Sequence, residues 1–345
     1  MKNNILLLPD PFPLESGATL AGARVAYRTW GQLNAARDNV VWVCHALTAN
    51  ADVLDWWAGL FGAGCFFDPA NWFIVCANVL GSCYGSTGPL SPDPATGAPR
   101  YEEFPLLTIR DLAAAHEALR QHLGLARIHT LIGGSLGGQQ ALEWAVAQPE
   151  EMQHLAVIAT NARHSAWGIA FNEAQRLAIE ADPTYLAHAE QGGSAGLRAA
   201  RATALLSYRG YEAYRATQTD EADDPRLRDY RASSYQRYQG DKLVARFDAY
   251  SYVALSRAMD THHLGRQRGS VAAALARIRA RTLVLGITSD VLFPLSEQRE
   301  LAAGITGATY GELDSGYGHD GFLLEVNQIA QHLEHFYAAQ LAAAE

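Results

Sequence analysis

Residues 128–147 read IHTLIGGSLGGQQALEWAVA, an apolar strand-like run that passes into a helix-like one through Ile132-Gly133-Gly134-Ser135-Leu136-Gly137-Gly138-Gln139-Gln140. Gly133-Gly134-Ser135-Leu136-Gly137 satisfies the pattern G-x-S-x-G, which between a strand and a helix describes a nucleophile elbow. The turn is tight, so the neighbours of the serine must lack side chains. The following helix presents its unpaired N–H groups and positive dipole end to the serine. Ser135 is therefore the candidate nucleophile, and the backbone N–H of Leu136 one candidate oxyanion donor. No lysine follows the glycines, which excludes a phosphate-binding Walker loop. The pattern supplies no role for the two glutamines that open the helix.

Outward from the elbow, VVWVCHA (40–46), FIVCANV (73–79), LAVIAT (155–160) and TLVLGI (282–287) are short apolar runs of the buried-strand kind. LTIRDLAAAHEALRQHLG (107–124) has apolar residues at helical spacing and ends on glycine. Strands alternating with helices predict an α/β fold with a mostly parallel sheet. GATLAGARVAYRTWG, near the start, alternates and predicts antiparallel strands at the beginning of that sheet. Between about Ser165 and Ala280 the alternation stops, and the segment reads as helices joined by Asp-Pro and Gly-Gly turns. The expected organisation is a core of residues 1–164 and 281–345 with a helical lid inserted at 165–280.

A serine nucleophile needs a base, and the base an orienting acid, in the chain order Ser, Asp or Glu, His. Asp290 follows the run TLVLGI directly, and His319 stands 29 residues later in a Gly-Tyr-Gly-His-Asp-Gly loop before a helix. That separation is about one strand–helix unit, as neighbouring strand ends require. His45, His129, His262 and His263 compete for the base, and Asp314 and Asp320 for the acid; helix capping is the alternative role for Asp290. A second oxyanion donor is expected from the loop Cys44-His45-Ala46-Leu47-Thr48-Ala49-Asn50, at the backbone of Leu47, with Thr48 as the alternative.

Of the 345 residues 49% are hydrophobic and 18% charged, enough to bury a large core, and the net charge of −9 argues against a nucleic-acid binder. Cys44, Cys65, Cys76 and Cys83 match no zinc or disulfide spacing. Free thiols, an N-terminal apolar run too short for a signal peptide and no run long enough for a membrane span lead to the expectation of a cytoplasmic protein. No metal site is expected.

Taken together, VCHALTANADVLDWW, CANVLGSCYGSTGP, FPLLTIRDL, IGGSLGGQQALEWA, NARHSAWGIAFNEAQRLAIEADP, SYRGY, YQGDKLVARFDAYSYVALSRAMD, SDVLFP and YGHDGFLLE resemble the homoserine O-acetyltransferase family, from about Leu14 to the C-terminus. The resemblance implies the α/β-hydrolase fold and the triad Ser135, Asp290 and His319. It implies that Arg209, in SYRG, and Asp320, beside the histidine, hold the amino-acid substrate, with Arg201 as the alternative arginine. Tyr235 reads equally as lining a tunnel or as packing. The implied reaction is two-step transfer of an acetyl group from acetyl-CoA, a donor substrate rather than a cofactor, to L-homoserine in methionine biosynthesis. The family is commonly homodimeric. Ser82, Asp52, Leu136 and Gln139 depart from the family pattern, so succinyl-CoA as donor and serine as acceptor remain alternatives, as does hydrolysis by the same triad.

Overall fold

Val40-Val41-Trp42-Val43-Cys44 is buried at every position, and a strand with no exposed face belongs in the middle of a sheet covered on both sides. The computed structural model, which describes residues 3–225 and 227–344, places it there. In chain order the strands are β1 (Asn4–Leu7), β2 (Phe12–Pro13), β3 (Thr19–Leu20), β4 (Arg24–Trp30), β5 (Val40–Cys44), β6 (Phe73–Ala77), β7 (Ile128–Gly134), β8 (Met152–Ile158), β9 (Arg281–Ile287) and β10 (Thr309–Leu313). β2 and β3 form a small ladder of their own, and the rest form one eight-stranded sheet in the order β1-β4-β6-β5-β7-β8-β9-β10. The ladders from β6 to β10 are parallel. β4 runs antiparallel to β6 and β1 antiparallel to β4, so the early segment is antiparallel as its alternation predicts. β1 is an addition to the sequence reading: it is an edge strand whose Leu7 is largely exposed, and an edge strand carries no clean inside–outside pattern.

The helices are α1 (Val53–Trp56), α2 (Ile109–His122), α3 (Leu136–Ala147), α4 (Ala166–Glu180), α5 (Ser194–Tyr208), α6 (Tyr211–Gln218), α7 (Arg231–Val244), α8 (Ala249–Asp260), α9 (Val271–Leu275), α10 (Leu295–Gly304), α11 (Gly321–Leu324) and α12 (Val326–Ala344). α2 starts on a complete capping box: Thr108 accepts from the backbone N–H of Asp111, and the Asp111 carboxylate accepts from that of Thr108. Side chains alternate across the sheet. Val40, Trp42 and Cys44 enter the core under α2 and α3, while Val41 and Val43 enter the core under α1 and α12. Trp42 anchors the first of these, meeting Trp144 edge-on at a centroid distance of 5.0 Å; such a pair adds roughly 0.5–1.5 kcal/mol beyond the area it buries.

Helices α4 to α9 lie between β8 and β9, where the sequence loses its strand rhythm. The chain leaves and returns side by side: the His164 N–H donates to the His262 carbonyl at 3.0 Å and the Leu264 N–H to that of Ala162 at 3.0 Å. This two-stranded stem brings the inserted helices over the C-terminal ends of the parallel strands. β6 and β7 flank β5 on opposite sides, and such a switch in strand order leaves a crevice at the strand ends. Among the described residues no helix is long and apolar enough to cross a membrane.

Candidate active site

The elbow is built by close backbone approach. A Cβ on Gly133 would stand 2.4 Å from the backbone of Gly137, and one on Gly137 only 2.1 Å from the Cys44 carbonyl oxygen. Neither contact can be relieved by a side-chain movement, so α3 presses directly on the end of β5. Ser135 takes φ +58° and ψ −128°, a conformation that a residue with a side chain adopts only under constraint. The constraint is visible: its N–H donates to the Ile158 carbonyl at 3.0 Å, and its own carbonyl accepts from the Thr160 hydroxyl at 3.0 Å and the Gln139 N–H at 3.1 Å.

His319 lies in a short 3-10 turn, Gly318–Asp320, after β10. Its Nε2 is 2.8 Å from Ser135 Oγ and its Nδ1 is 2.7 Å from Asp290 Oδ2. The carboxylate can only accept, so Nδ1 carries the proton and Nε2 accepts from the serine hydroxyl. The other Asp290 oxygen accepts from the N–H groups of Leu292 and Phe293 at 2.8 and 2.9 Å, which fixes the carboxylate in its turn. Asp290 is not a helix cap, because α10 begins from Pro294. The imidazole stacks on Phe293 at 5.1 Å and meets Phe322 at 5.4 Å. All three polar side chains are buried. The competing histidines are elsewhere: His129 packs among Trp72, His154 and Tyr337, while Asn161 and Ala162 bond the His262–Leu264 stretch as part of the stem.

A cavity of about 450 Å³ opens onto Ser135 and His319, and its wall includes Leu47, Arg201, Arg209 and Asp320. Leu136 is the first residue of α3, so its N–H has no acceptor within the helix. Leu47 and its loop neighbours Ala46 to Asn50 line the cavity beside Ser135. Arg209 Nε is 2.8 Å from Asp320 Oδ2. Glycines again make the meeting possible: a Cβ on Gly210 would lie 2.2 Å from the Gly316 carbonyl oxygen and one on Gly318 2.6 Å from the Gly210 nitrogen. Burial pushes the Asp320 carboxyl above its ordinary value, and Arg209, Arg201 and His319 pull it back down. Arg201 is in the site too, with its guanidinium 5.4 Å from the centre of the Tyr208 ring. The two arginines weighed as alternatives thus share one cavity. Tyr235 packs edge-on against Tyr214 at 5.9 Å, and Tyr208 is the tyrosine in the cavity wall.

Sequence reading left Gln139 and Gln140 without a role, and the structure supplies one for each. Gln139 Nε2 reaches Asn161 Oδ1 at 3.2 Å and His164 Nδ1 at 3.3 Å, tying the elbow helix to the stem of the insertion. Gln140 Nε2 donates to the carbonyls of His45 and Leu136, each at 3.1 Å. Its Oε1 accepts from His116 Nε2 at 2.9 Å, since His116 Nδ1 is taken as acceptor by the Trp42 indole N–H at 3.3 Å. All four cysteines are free. Asp52, a departure from the family pattern, is ion-paired with Arg28. Among the described residues no cluster of three His, Cys, Asp or Glu side chains could hold a metal ion.

Residues 39–326 match the alpha/beta hydrolase fold family. The chain is 48% identical over 339 residues to the homoserine O-acetyltransferase of Cyclobacterium marinum, an alignment covering 98% of this chain and 95% of that one. It superposes on the crystal structure of homoserine o-acetyltransferase from Staphylococcus aureus with a TM-score of 0.81 at 32% identity, covering 97% of this chain and 94% of that chain. It also superposes on the crystal structure of esterase E22 with a TM-score of 0.87, covering 97% of this chain and 99% of that chain; at 24% identity this likeness concerns the fold alone.

Proposed function

The chain belongs to the homoserine O-acetyltransferase family of the α/β-hydrolase fold, and from that membership and the site geometry we propose how it acts. It is an acyltransferase that moves an acetyl group onto the hydroxyl of L-homoserine. Acetyl-CoA is the donor in this reading, and no cofactor takes part. Ser135 Oγ attacks the thioester carbonyl while His319 Nε2 takes its proton; the Asp290 carboxylate stabilises the imidazolium. The oxyanion is held by the N–H groups of Leu136 and Leu47. The C–S bond breaks, the thiol leaves with the proton from His319, and acetyl-Ser135 remains. The homoserine hydroxyl then attacks the acetyl carbonyl, gives its proton to His319, and the Ser135–acetyl bond breaks as that proton returns to Ser135 Oγ.

The observation that carries this reading is the Arg209–Asp320 pair beside His319, in the cavity that Ser135 opens onto. An α-amino acid presents one carboxylate and one ammonium, and a guanidinium next to a carboxylate matches both. Arg201 adds a second cation to the cavity wall. The inserted helices, 165–280 in this reading, form the lid that limits water. Orienting the hydroxyl against the acyl-enzyme can supply effective molarities on the order of 10⁵ M or more, which lets transfer outrun hydrolysis. The exposed Leu206 and Tyr211 of the insertion support a homodimer joined through it, and the free thiols support the cytoplasm.

The test is incubation with acetyl-CoA, with and without homoserine, followed by mass spectrometry. An acetyl group on the peptide containing Ser135, discharged to O-acetylhomoserine when the amino acid is added, is expected. Thioester consumption at a rate indifferent to homoserine would replace transfer with hydrolysis. Succinyl-CoA and serine, run in parallel, test the choice of donor and acceptor.

A further inference from the structure

The β5 exit loop contains a histidine that the triad does not use. His45 is fully buried. Its Nε2 lies 3.0 Å from the backbone nitrogen of Val79 and its Nδ1 lies 2.8 Å from the carbonyl oxygen of Ala46. A backbone N–H can only donate, so Nε2 has no proton. In the neutral ring the proton is then on Nδ1, and the ring donates to the Ala46 carbonyl. Burial lowers the pKa of His45 to about 4, so the ring is neutral at physiological pH.

The Ala46 carbonyl belongs to the same peptide unit as the Leu47 N–H. A trans peptide is planar, and its C=O and N–H point in opposite directions. Holding the carbonyl therefore aims the N–H. The Ala49 N–H donates to the same carbonyl at 3.0 Å, so the unit is held by one side-chain and one backbone donor. One peptide earlier, the His45 carbonyl accepts from Gln140 Nε2 at 3.1 Å, and the same amide nitrogen also bonds the Leu136 carbonyl. Gln140 thus connects the loop that carries Leu47 to the first turn of α3, and His116 fixes which way its amide points. Two features with no role in the triad, a histidine in the first loop and a glutamine in the elbow helix, converge on the backbone of one loop.

We infer that His45 is a positioning residue: through the Ala46 carbonyl it aims the Leu47 N–H at the oxyanion, while Gln140 anchors the peptide unit that precedes it. The inference rests on the proposed role of Ser135 as the acylated nucleophile. His45 touches no reacting atom, and its contribution is to transition-state stabilisation, so it should act on kcat rather than on the KM for homoserine.

The test uses two substitutions of similar size. In His45→Asn the side-chain amide nitrogen stands where Nδ1 does and can still donate to Ala46, while the contact to Val79 is lost. In His45→Gln the terminal amide reaches toward Nε2, so the contact to Val79 is kept and the donation to Ala46 is lost. Removing one oxyanion donor costs about 100- to 1000-fold in rate, and a mis-aimed one in His45→Gln is expected to lower kcat by about 100-fold. His45→Asn should retain most of the activity, and the KM for homoserine should hold in both. Equal losses in the two variants, or full activity in His45→Gln, overturn the inference. A measurement on the wild-type chain makes the test independent of how the variants fold: nitrogen-15 NMR is expected to find the His45 proton on Nδ1, and a proton on Nε2 overturns it. Acetylation of Ser135 is followed in the same samples. A wild-type chain that the donor never acetylates refutes the nucleophile reading, whereas acetylation together with matched Asn and Gln variants refutes the role of His45 alone.

Discussion

Ser135, Asp290 and His319, the proposed triad, and Arg209 and Asp320, the proposed acceptor cradle, lie side by side at one cavity, yet they are held differently. Ser135, Asp290 and His319 stand just past the ends of β7, β9 and β10, with 6, 5 and 3% of their surfaces exposed. Each is fixed by backbone groups or aromatic rings of the sheet core. The cradle is made across a seam: Arg209 comes from the inserted helices and Asp320 from the histidine loop, joined by one ion pair, with the Arg209 side chain 27% exposed. The lesson is a division of labour. In the proposed reading the bond-making groups are buried at strand ends, the rigid side, whereas the acceptor is held across a seam that the insertion shares with the histidine loop, since Asp320 is the direct neighbour of His319.

The strongest attack on that division is Ser135→Ala. It should leave the fold intact and lower acetyl transfer by about 10⁴-fold or more, with no acetylated elbow peptide in mass spectra. Retained acetylation would mean that the rigid side does not carry the chemistry. Asp290→Asn keeps the shape but favours the wrong imidazole tautomer, and kcat should fall by about 10³- to 10⁴-fold. A change confined to KM would place Asp290 with the cradle instead.

Acid should loosen the rigid side. Burial lowers the pKa of His45, His116, His129 and His164 from 6.5 to about 4. Between those values the unfolded chain binds more protons than the folded one. The stability these groups provide is therefore complete above pH 6.5 and is lost as pH falls toward 4. Urea midpoints measured across that window should drop; a flat profile would show that these rings are not buried neutral.

Asp320→Asn probes the other side. The Arg209–Asp320 pair is only partly buried, and loss of the carboxylate proposed to hold the homoserine ammonium should raise the KM for homoserine by about 10-fold, about 1.4 kcal/mol, while release of the donor thiol in a single turnover falls much less. Equal loss in both half-reactions would merge the cradle with the triad. The smallest effect belongs to Thr108→Ala at the start of α2, remote from both regions. Loss of its capping box should reduce stability by about 1 kcal/mol in denaturant titration, with kcat and KM unchanged.

The elbow and the order of Ser135, Asp290 and His319 were legible because each is encoded within a few residues. Gly133 and Gly137 are required by backbone contacts that no side chain would survive, and Asp290 and His319 follow strand ends at the interval that adjacent strands impose. The five inner strands were legible for a similar reason, since full burial leaves continuous apolar runs. β1 was missed because an exposed edge imposes no such pattern.

What the sequence determined by itself was therefore local: the tight turn, the strands buried on both faces, the helical interruption and the chain order of the triad. Tertiary structure alone decided which distant groups meet. It put Arg201 and Arg209 in one cavity, sent Gln139 to the stem of the insertion, and set Gln140 against the His45 carbonyl, 95 positions away in the chain. The physical reason is that a backbone turn is specified by its own covalent neighbours, whereas a hydrogen bond across the core exists only once two strand ends have been brought together by packing.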